Sequence, residues 1–265
     1  MQLDPIAVAA GVRLEALGTV GSTNTEARLR ARRGEATPLW ITAVSQTQGR
    51  GRMDRAWASP PGNLYASLLL HAPAPPARAP ELGFVAALAL RDAIVAEAEA
   101  LAPRLAFKWP NDLLLAGRKC AGILIEGEVD TDNRVDVVIG IGVNCADHPA
   151  NTAYPATDLA AHGAAMAPDR LFQRLSAEMC RRLALWDQGE AFSVILADWL
   201  AAAGGLGEEI SVRNGASEKR GRFAGLDRAG RLILRTAAGE TETISAGDVF
   251  PLDRGGPRHV AGRAQ

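Results

Sequence analysis

Lysine is nearly absent from this chain. Of its 29 basic residues only Lys108, Lys119 and Lys219 are lysine, and the rest are arginine. A lysine that persists against such a background is a candidate for a task that needs a compact ammonium rather than a planar guanidinium. A basic excess is also missing: 29 basic and 30 acidic residues leave a formal net charge of -1, which argues against a dedicated nucleic-acid binder. No apolar run reaches the roughly 18 residues needed to span a bilayer. The opening Met1-Gln2-Leu3-Asp4-Pro5 has no basic stretch and leads into no long apolar run, so no signal peptide is expected. Cysteine is scarce and odd in number, with Cys120, Cys145 and Cys180 at no metal-binding spacing, and the four histidines are scattered. A reducing cytoplasm and no zinc site are therefore expected. Gly-x-x-x-x-Gly-Lys-Ser/Thr is absent, so any nucleotide site is not a P-loop.

What is present is enough chain, 265 residues, for one large domain or one large and one small. Arg13 to Val20 alternates weakly and reads as a strand. Thr23 and Glu26 have capping-box spacing, which predicts a helix running towards Arg33 and ending at Gly34. Leu39 to Val44 and Leu64 to Leu70 read as strands, and Leu82 to Leu101 as a largely buried helix. Phe107-Lys108-Trp109 reads as a strand end stopped by Pro110. Leu113 to Leu115 and Cys120 to Glu126 flank Ala116-Gly117 as a hairpin, and Val135 to Val143 is a further strand. Asp169 to Gln188 and Phe192 to Ala203 carry helical patterns. After Gly204-Gly205 come four short strand signals, at Glu209 to Arg213, Arg220 to Leu226, Leu232 to Arg235 and Glu240 to Ser245. Their regular spacing predicts a small β-barrel. The expected division is a catalytic domain over 1–204, a barrel over 205–253 and a disordered tail over 254–265.

Five segments carry chemistry. Gly49-Arg50-Gly51-Arg52-Met53-Asp54-Arg55-Ala56-Trp57 joins three guanidiniums, two glycines and an indole in one loop between strands. Arginine grips phosphate through paired hydrogen bonds, glycine lets backbone approach a ligand, and Trp57 offers a stacking face or a plug. Such a loop suits the charge that develops during adenylyl transfer. Lys108-Trp109-Pro110-Asn111-Asp112 is a strand end and turn that adds an ammonium and a carboxylate. Asp112 is suited either to hold magnesium or to orient an incoming amine. Arg118-Lys119 with Gly122 is a basic hairpin that can fold Lys119 towards the same site as Lys108. Ser22-Thr23-Asn24 combines helix capping with three small polar groups able to ring a ligand head group. Gly140-Ile141-Gly142-Val143-Asn144 is too short for a dinucleotide fingerprint and reads as a close backbone wall with one amide.

Taken together and in this order, the five segments resemble the biotin protein ligase family, whose motifs are Ser-Thr-Asn, Gly-Arg-Gly-Arg-x-Gly-Arg-x-Trp, Lys-Trp-Pro-Asn-Asp, Arg-Lys-x-x-Gly-Ile-Leu and Gly-x-Gly-x-Asn. The C-terminal strands resemble the family's SH3-like end domain. The resemblance implies an α+β fold, a mixed sheet with flanking helices of the class II aminoacyl-tRNA synthetase type. It implies two half-reactions with MgATP and biotin as substrates and no tightly bound cofactor. The biotin carboxylate attacks the α-phosphate to give biotinyl-5′-AMP and pyrophosphate. A lysine of a biotin carboxyl carrier protein then takes the biotinyl group.

By the same resemblance Arg50, Arg52, Lys108, Asp112 and Lys119 are the catalytic set. Ser22, Thr23, Asn24, Gln46, Arg50, Gly51, Arg52 and Lys119 line the biotin side. Arg52, Arg55, Trp57, Lys108, Asn111 and Asn144 match the adenylate side, with Asp112 as a magnesium candidate. The chain departs from the family at Asp54, where glycine is usual. Some members carry an N-terminal DNA-binding domain. Here the first motif begins at residue 22, so no specific DNA binding is expected, and a homodimer stays open. Two rivals stay open as well: a lipoate or octanoate ligase of the same fold, and a non-catalytic module that holds biotin or a nucleotide.

Overall fold

The structure, a computed structural model, describes residues 1–252 except 130, 131, 151, 153 and 216. The expected tail, 254–265, lies outside the described residues. The chain divides into two compact units: Met1–Gly204 with Arg228–Gly230, and Gly205–Asp227 with the chain from Arg231 onward.

The first unit is built on a seven-stranded mixed sheet. Its strands are β1 (Arg13–Val20), β2 (Leu39–Gln46), β3 (Leu64–His71), β4 (Leu105–Lys108), β5 (Asp112–Leu115), β6 (Arg118–Val129) and β7 (Val135–Val143), in the order β1-β2-β3-β7-β6-β5-β4. Only β1 and β2 run parallel, as two strands joined by a helix must, and that helix spans Thr23–Arg32. A short helix α1 (Pro5–Ala9) precedes β1, so the Thr23–Arg32 helix is α2; α3 (Leu82–Glu97), α4 (Pro168–Trp186) and α5 (Phe192–Ala201) follow.

Strand alternation sorts the two faces of the sheet. Leu39 and Ile41 of β2 turn to α2, where with Leu69, Val138 and Ala27 they form a fully buried cluster. Trp40 between them turns the other way and meets Phe172 of α4 edge to face, ring centroids 5.5 Å apart. Helix α3 is buried along most of its length and is tied to α4 by Arg182 Nε donating to Asp92 at 2.7 Å. Glu97 is clasped from α4 by Arg170 and Arg174, whose hydrogen bonds hold its carboxyl below the usual range against the upward push of burial.

Two local expectations change and two short elements are added. The N-cap of α2 is Ser22 rather than Thr23 and makes no side-chain capping bond; the Thr23 N–H and hydroxyl both donate instead to Gln46 Oε1, at 2.8 and 3.1 Å. The helix expected over Leu82 to Leu101 stops at Glu97, where Ala98 leaves helical geometry (φ -149°, ψ 71°), and a 3-10 turn with Pro103 follows. Helix α1 and the last strand, Asp248–Pro251, lacked a sequence signal because each is only four or five residues long. The hairpin turn is as expected, with Ala116 and Gly117 both at positive φ, 51° and 75°, the backbone of a two-residue primed turn.

The second unit is a five-stranded antiparallel sheet of β8 (Glu209–Asn214), β9 (Ser217–Leu226), β10 (Leu232–Arg235), β11 (Thr241–Ile244) and β12 (Asp248–Pro251), ordered β11-β10-β9-β8-β12. Among the described residues β11 and β12 are its free edges, so the strand pairings make an open sheet. Ile210, Val212, Phe223, Leu232 and Leu234 are buried in it. Lys219, the third lysine, pairs here with Glu242. Among the described residues no helix is long and apolar enough to cross a membrane.

Candidate active site

Sheet register assembles the site. Lys108 of β4 stands opposite Asp112 of β5, Asp112 opposite Gly122 of β6, and Gly122 opposite Gly142 of β7. Paired residues share a face, so one row across four strands carries an ammonium, a carboxylate and two bare glycines. The next row carries Gly140 opposite Ser67 of β3. This is the face that α2 covers only in part, and the arginine loop folds over the remainder.

The charged end of the row is tightly paired. Lys108 Nζ lies 2.9 Å from Asp112 Oδ2 and Lys119 Nζ 2.5 Å from Oδ1, with Asp112 only 10% exposed. Burial alone would push the Asp112 carboxyl up, but the ammonium groups of Lys119 and Lys108 outweigh it and hold it below its ordinary value. Lys108 also lies 4.5 Å above the ring of Tyr154. Both Asp112 oxygens are thus taken by ammonium groups, and among the described residues no cluster of three or more His, Cys, Asp or Glu side chains could hold a metal. With each oxygen paired to an ammonium, Asp112 offers a magnesium ion, which takes one or two carboxylates together with substrate phosphates, no unpaired oxygen.

The loop is a short hairpin. Gly51 N–H donates to Arg55 O at 2.7 Å, Trp57 N–H to Gly49 O at 2.9 Å, and Arg50 bridges Ala56. Met53 and Asp54 form its tip at φ 53° and 54°. Glycine, expected at position 54 from the resemblance, adopts such a φ freely, and aspartate is among the few other residues that tolerate the left-handed region. Arg52 Nη1 donates to Asn111 Oδ1 at 3.2 Å, while Asn111 Nδ2 donates to Ile123 O. Arg55 is exposed.

Trp57 lies on the glycine floor. A Cβ on Gly142 would meet its indole at 2.7 Å, and one on Gly122 would meet both Trp57 and Lys119 at 3.3 Å. Lys119 Nζ is 5.3 Å from the Trp57 ring centroid. The indole Nε1 is buried and has no hydrogen-bond partner among the described residues, a donor left for something else to satisfy.

At the other end stands a polar ring. Ser67 Oγ bonds Thr23 Oγ1 at 2.8 Å and Asn24 Oδ1 at 2.6 Å, and Gln46 Nε2 donates to Ser59 Oγ at 2.9 Å. Asn24 lies flat on Gly140, where a Cβ would come within 2.2 Å of Oδ1. Ser22, Thr23 and Asn24 are all buried. Asn144 is pinned at the end of β7, its Nδ2 donating to Thr157 O at 3.0 Å. Arg50 turns to protein groups: Nη1 donates to Thr25 Oγ1 at 2.8 Å and Nη2 to both oxygens of Glu126 at 3.0 Å.

Sequence reasoning missed Ser67, Thr25, Tyr154 and Glu126. Glu126 alone carried a usable signal, as a carboxylate ending the apolar run Ile123-Leu124-Ile125.

The mixed sheet with its buried polar ring, glycine floor, paired-lysine carboxylate and arginine loop fits a protein-ligase class, and the likeness to known proteins gives the same class. Residues 19–144 match the biotin/lipoate A/B protein ligase family and residues 205–250 the biotin protein ligase C-terminal domain. The chain is 40% identical to the biotin–[acetyl-CoA-carboxylase] ligase of Paracoccus denitrificans, over 88% of this chain and 98% of that protein. It is 33% identical to the enzyme of the same name from Mycobacterium tuberculosis, over 91% and 89%. It is also similar to the biotin protein ligase of Aquifex aeolicus, solved in complex with biotin and ATP: TM-score 0.75, 25% identity, 90% of this chain and 97% of that one. The chain belongs to the biotin protein ligase family.

Proposed function

We propose that the chain is a biotin–protein ligase in which unit Met1–Gly204 activates biotin with MgATP to biotinyl-5′-AMP and then passes the biotinyl group to a lysine of a biotin carboxyl carrier protein. The observation that carries this reading is the row Lys108-Asp112-Gly122-Gly142 under the arginine loop, with the Ser22-Thr23-Asn24 ring at its end.

In this reading the polar ring of Ser22, Thr23, Asn24 and Gln46 receives the biotin head group. Gly51, Arg52, Lys119 and the anchored Arg50 close the biotin side. Arg52, Arg55, Trp57, Lys108, Asn111 and Asn144 form the adenylate side. The biotin carboxylate attacks the α-phosphorus and pyrophosphate leaves. Cations and N–H donors aimed at the developing charge supply the stabilisation. The carrier's amine then attacks the acyl carbon and AMP leaves. Asp112, held ionised by its two partners, is a weak base and acts by fixing both ammoniums where phosphate charge develops. Magnesium enters with the ATP phosphates as part of the substrate. The loop, with Trp57 beneath it, keeps water from the mixed anhydride.

Four further assignments belong to the same proposal: the seven-stranded sheet with its helices is of the class II synthetase type, the C-terminal sheet is an SH3-like end domain, the protein works in the cytoplasm, and the carrier is that of acetyl-CoA carboxylase. The deciding experiment is ATP–pyrophosphate exchange with biotin and lipoate supplied separately. Exchange that depends on biotin supports the reading. Exchange with lipoate alone, or biotin binding without exchange, refutes it.

A further inference from the structure

Arg50 is the first arginine of the loop, yet its guanidinium is spent inside the protein. Both terminal nitrogens are engaged, one by Thr25 of α2 and the other by Glu126 of β6. The same carboxylate accepts from Asn24 Nδ2 at 2.7 Å. That bond fixes the orientation of the Asn24 amide, turning Oδ1 to Ser67 and laying the group on the space left by Gly140. Arg50 and Glu126 are each about three-quarters covered, at 22% and 24% exposure, so the pair is shielded far more than a surface ion pair. Arg28, at 3.8 Å and 40% exposed, is a further cation near Glu126.

We propose that Glu126 is a positioning residue whose carboxylate clamps the root of the arginine loop to the Ser22-Thr23-Asn24 segment, so that lid and head-group ring are held as one piece through Arg50 and Asn24. Glu126 acts through these two residues. The side chain of Arg50 serves as the lid's anchor. The inference rests on the proposed function for its kinetic consequence, while the clamp itself is a property of the free protein.

The test compares Glu126→Gln and Glu126→Asp with wild type, and with Glu128→Gln as a control on the same strand. Three quantities are read: the KM for biotin and for ATP in biotin-dependent pyrophosphate release, the rate at which biotinyl-5′-AMP escapes, and trypsin cleavage at Arg50, Arg52 and Arg55 in the free protein. Losing the charged hydrogen bonds is expected to raise the biotin KM and the escape rate about tenfold in Glu126→Gln. The ATP KM should stay within about twofold, loop cleavage should become faster, and Glu126→Asp should recover part of each change. In loop cleavage at Arg52 and Arg55, Arg50→Gln added to Glu126→Gln should add little, because both remove the same link. Wild-type biotin KM, escape rate and loop cleavage in Glu126→Gln would overturn the proposal, as would fully multiplicative effects on cleavage at Arg52 and Arg55 in the double variant. If the wild type itself releases no pyrophosphate with biotin, the functional reading fails, and the trypsin comparison still decides for or against the clamp.

Discussion

Asp112→Asn is the perturbation with the clearest arithmetic. The substitution keeps shape and removes one charge from a site where two ammonium groups meet one carboxylate, at 2.9 and 2.5 Å. At an effective dielectric of about 20, each pair attracts by roughly 6 kcal/mol, and desolvation takes back several kcal/mol per ion. Breaking a buried pair from one side typically costs about 3–5 kcal/mol because the partner stays buried and uncompensated. Lys119 is 26% exposed and can find water, so the lower end, about 3 kcal/mol, is the expected loss. For a chain of this size that is a drop of roughly 6–12 °C in melting temperature. The sign against pH follows from the depressed carboxyl. Its stabilisation is present above the unfolded-state value of about 4 and is lost only as pH falls through the lower folded value. The melting gap between wild type and Asp112→Asn should therefore be constant from pH 5 to 8 and close only in strong acid. Calorimetry across that range with parallel pyrophosphate-release assays is the measurement. A melting shift under 2 °C with activity within about twofold would refute the view that Asp112 organises the two lysines.

The remaining predictions concern the loop, the floor and the buried thiols. Asp54→Gly exchanges a strained φ of 54° for a freer unfolded chain, two effects of about 1 kcal/mol that oppose each other. Melting within about 3 °C and equal or higher activity are expected, and a loss beyond about tenfold would show a role for the carboxylate. Gly140→Val drives a side chain into Asn24, so about 1–3 kcal/mol of stability should go, together with biotin affinity; an unchanged melt and biotin KM would contradict the packing. Burial pushes the thiols of Cys120 and Cys145 and the hydroxyl of Tyr65 up to about 12. Raised groups stabilise below their unfolded values, so stability should fall from about pH 9 for the thiols and pH 10 for the tyrosine as pH climbs towards 12. At pH 8 iodoacetamide should leave Cys120 and Cys145 untouched in the native protein and modify all three cysteines after denaturation. Rapid native alkylation of either buried thiol would contradict this.

Most sheet elements were legible because their apolar runs and Gly or Pro stops are local. The meeting of Lys108 and Lys119 was legible for the same reason, as Ala116-Gly117 sets the hairpin turn between them. The row that joins Asp112 to Gly142 was beyond local reading, since it depends on β6 and β7 pairing in one particular register. Glu126 was missed because its partners lie 76 and 102 residues away. Thr23 was misread as part of a capping box because its true partner, Gln46, is supplied by a neighbouring strand. Local signals gave the parts, and register and side-chain pairing across distant segments gave the site.

Mass spectrometry of the protein recovered after incubation with biotin and MgATP tests the central claim most directly. The account predicts biotinyl-5′-AMP in the bound fraction, with one pyrophosphate released for each, and its disappearance when a biotin carboxyl carrier protein is added. Bound biotin beside intact ATP, with no adenylate and no pyrophosphate, would contradict it.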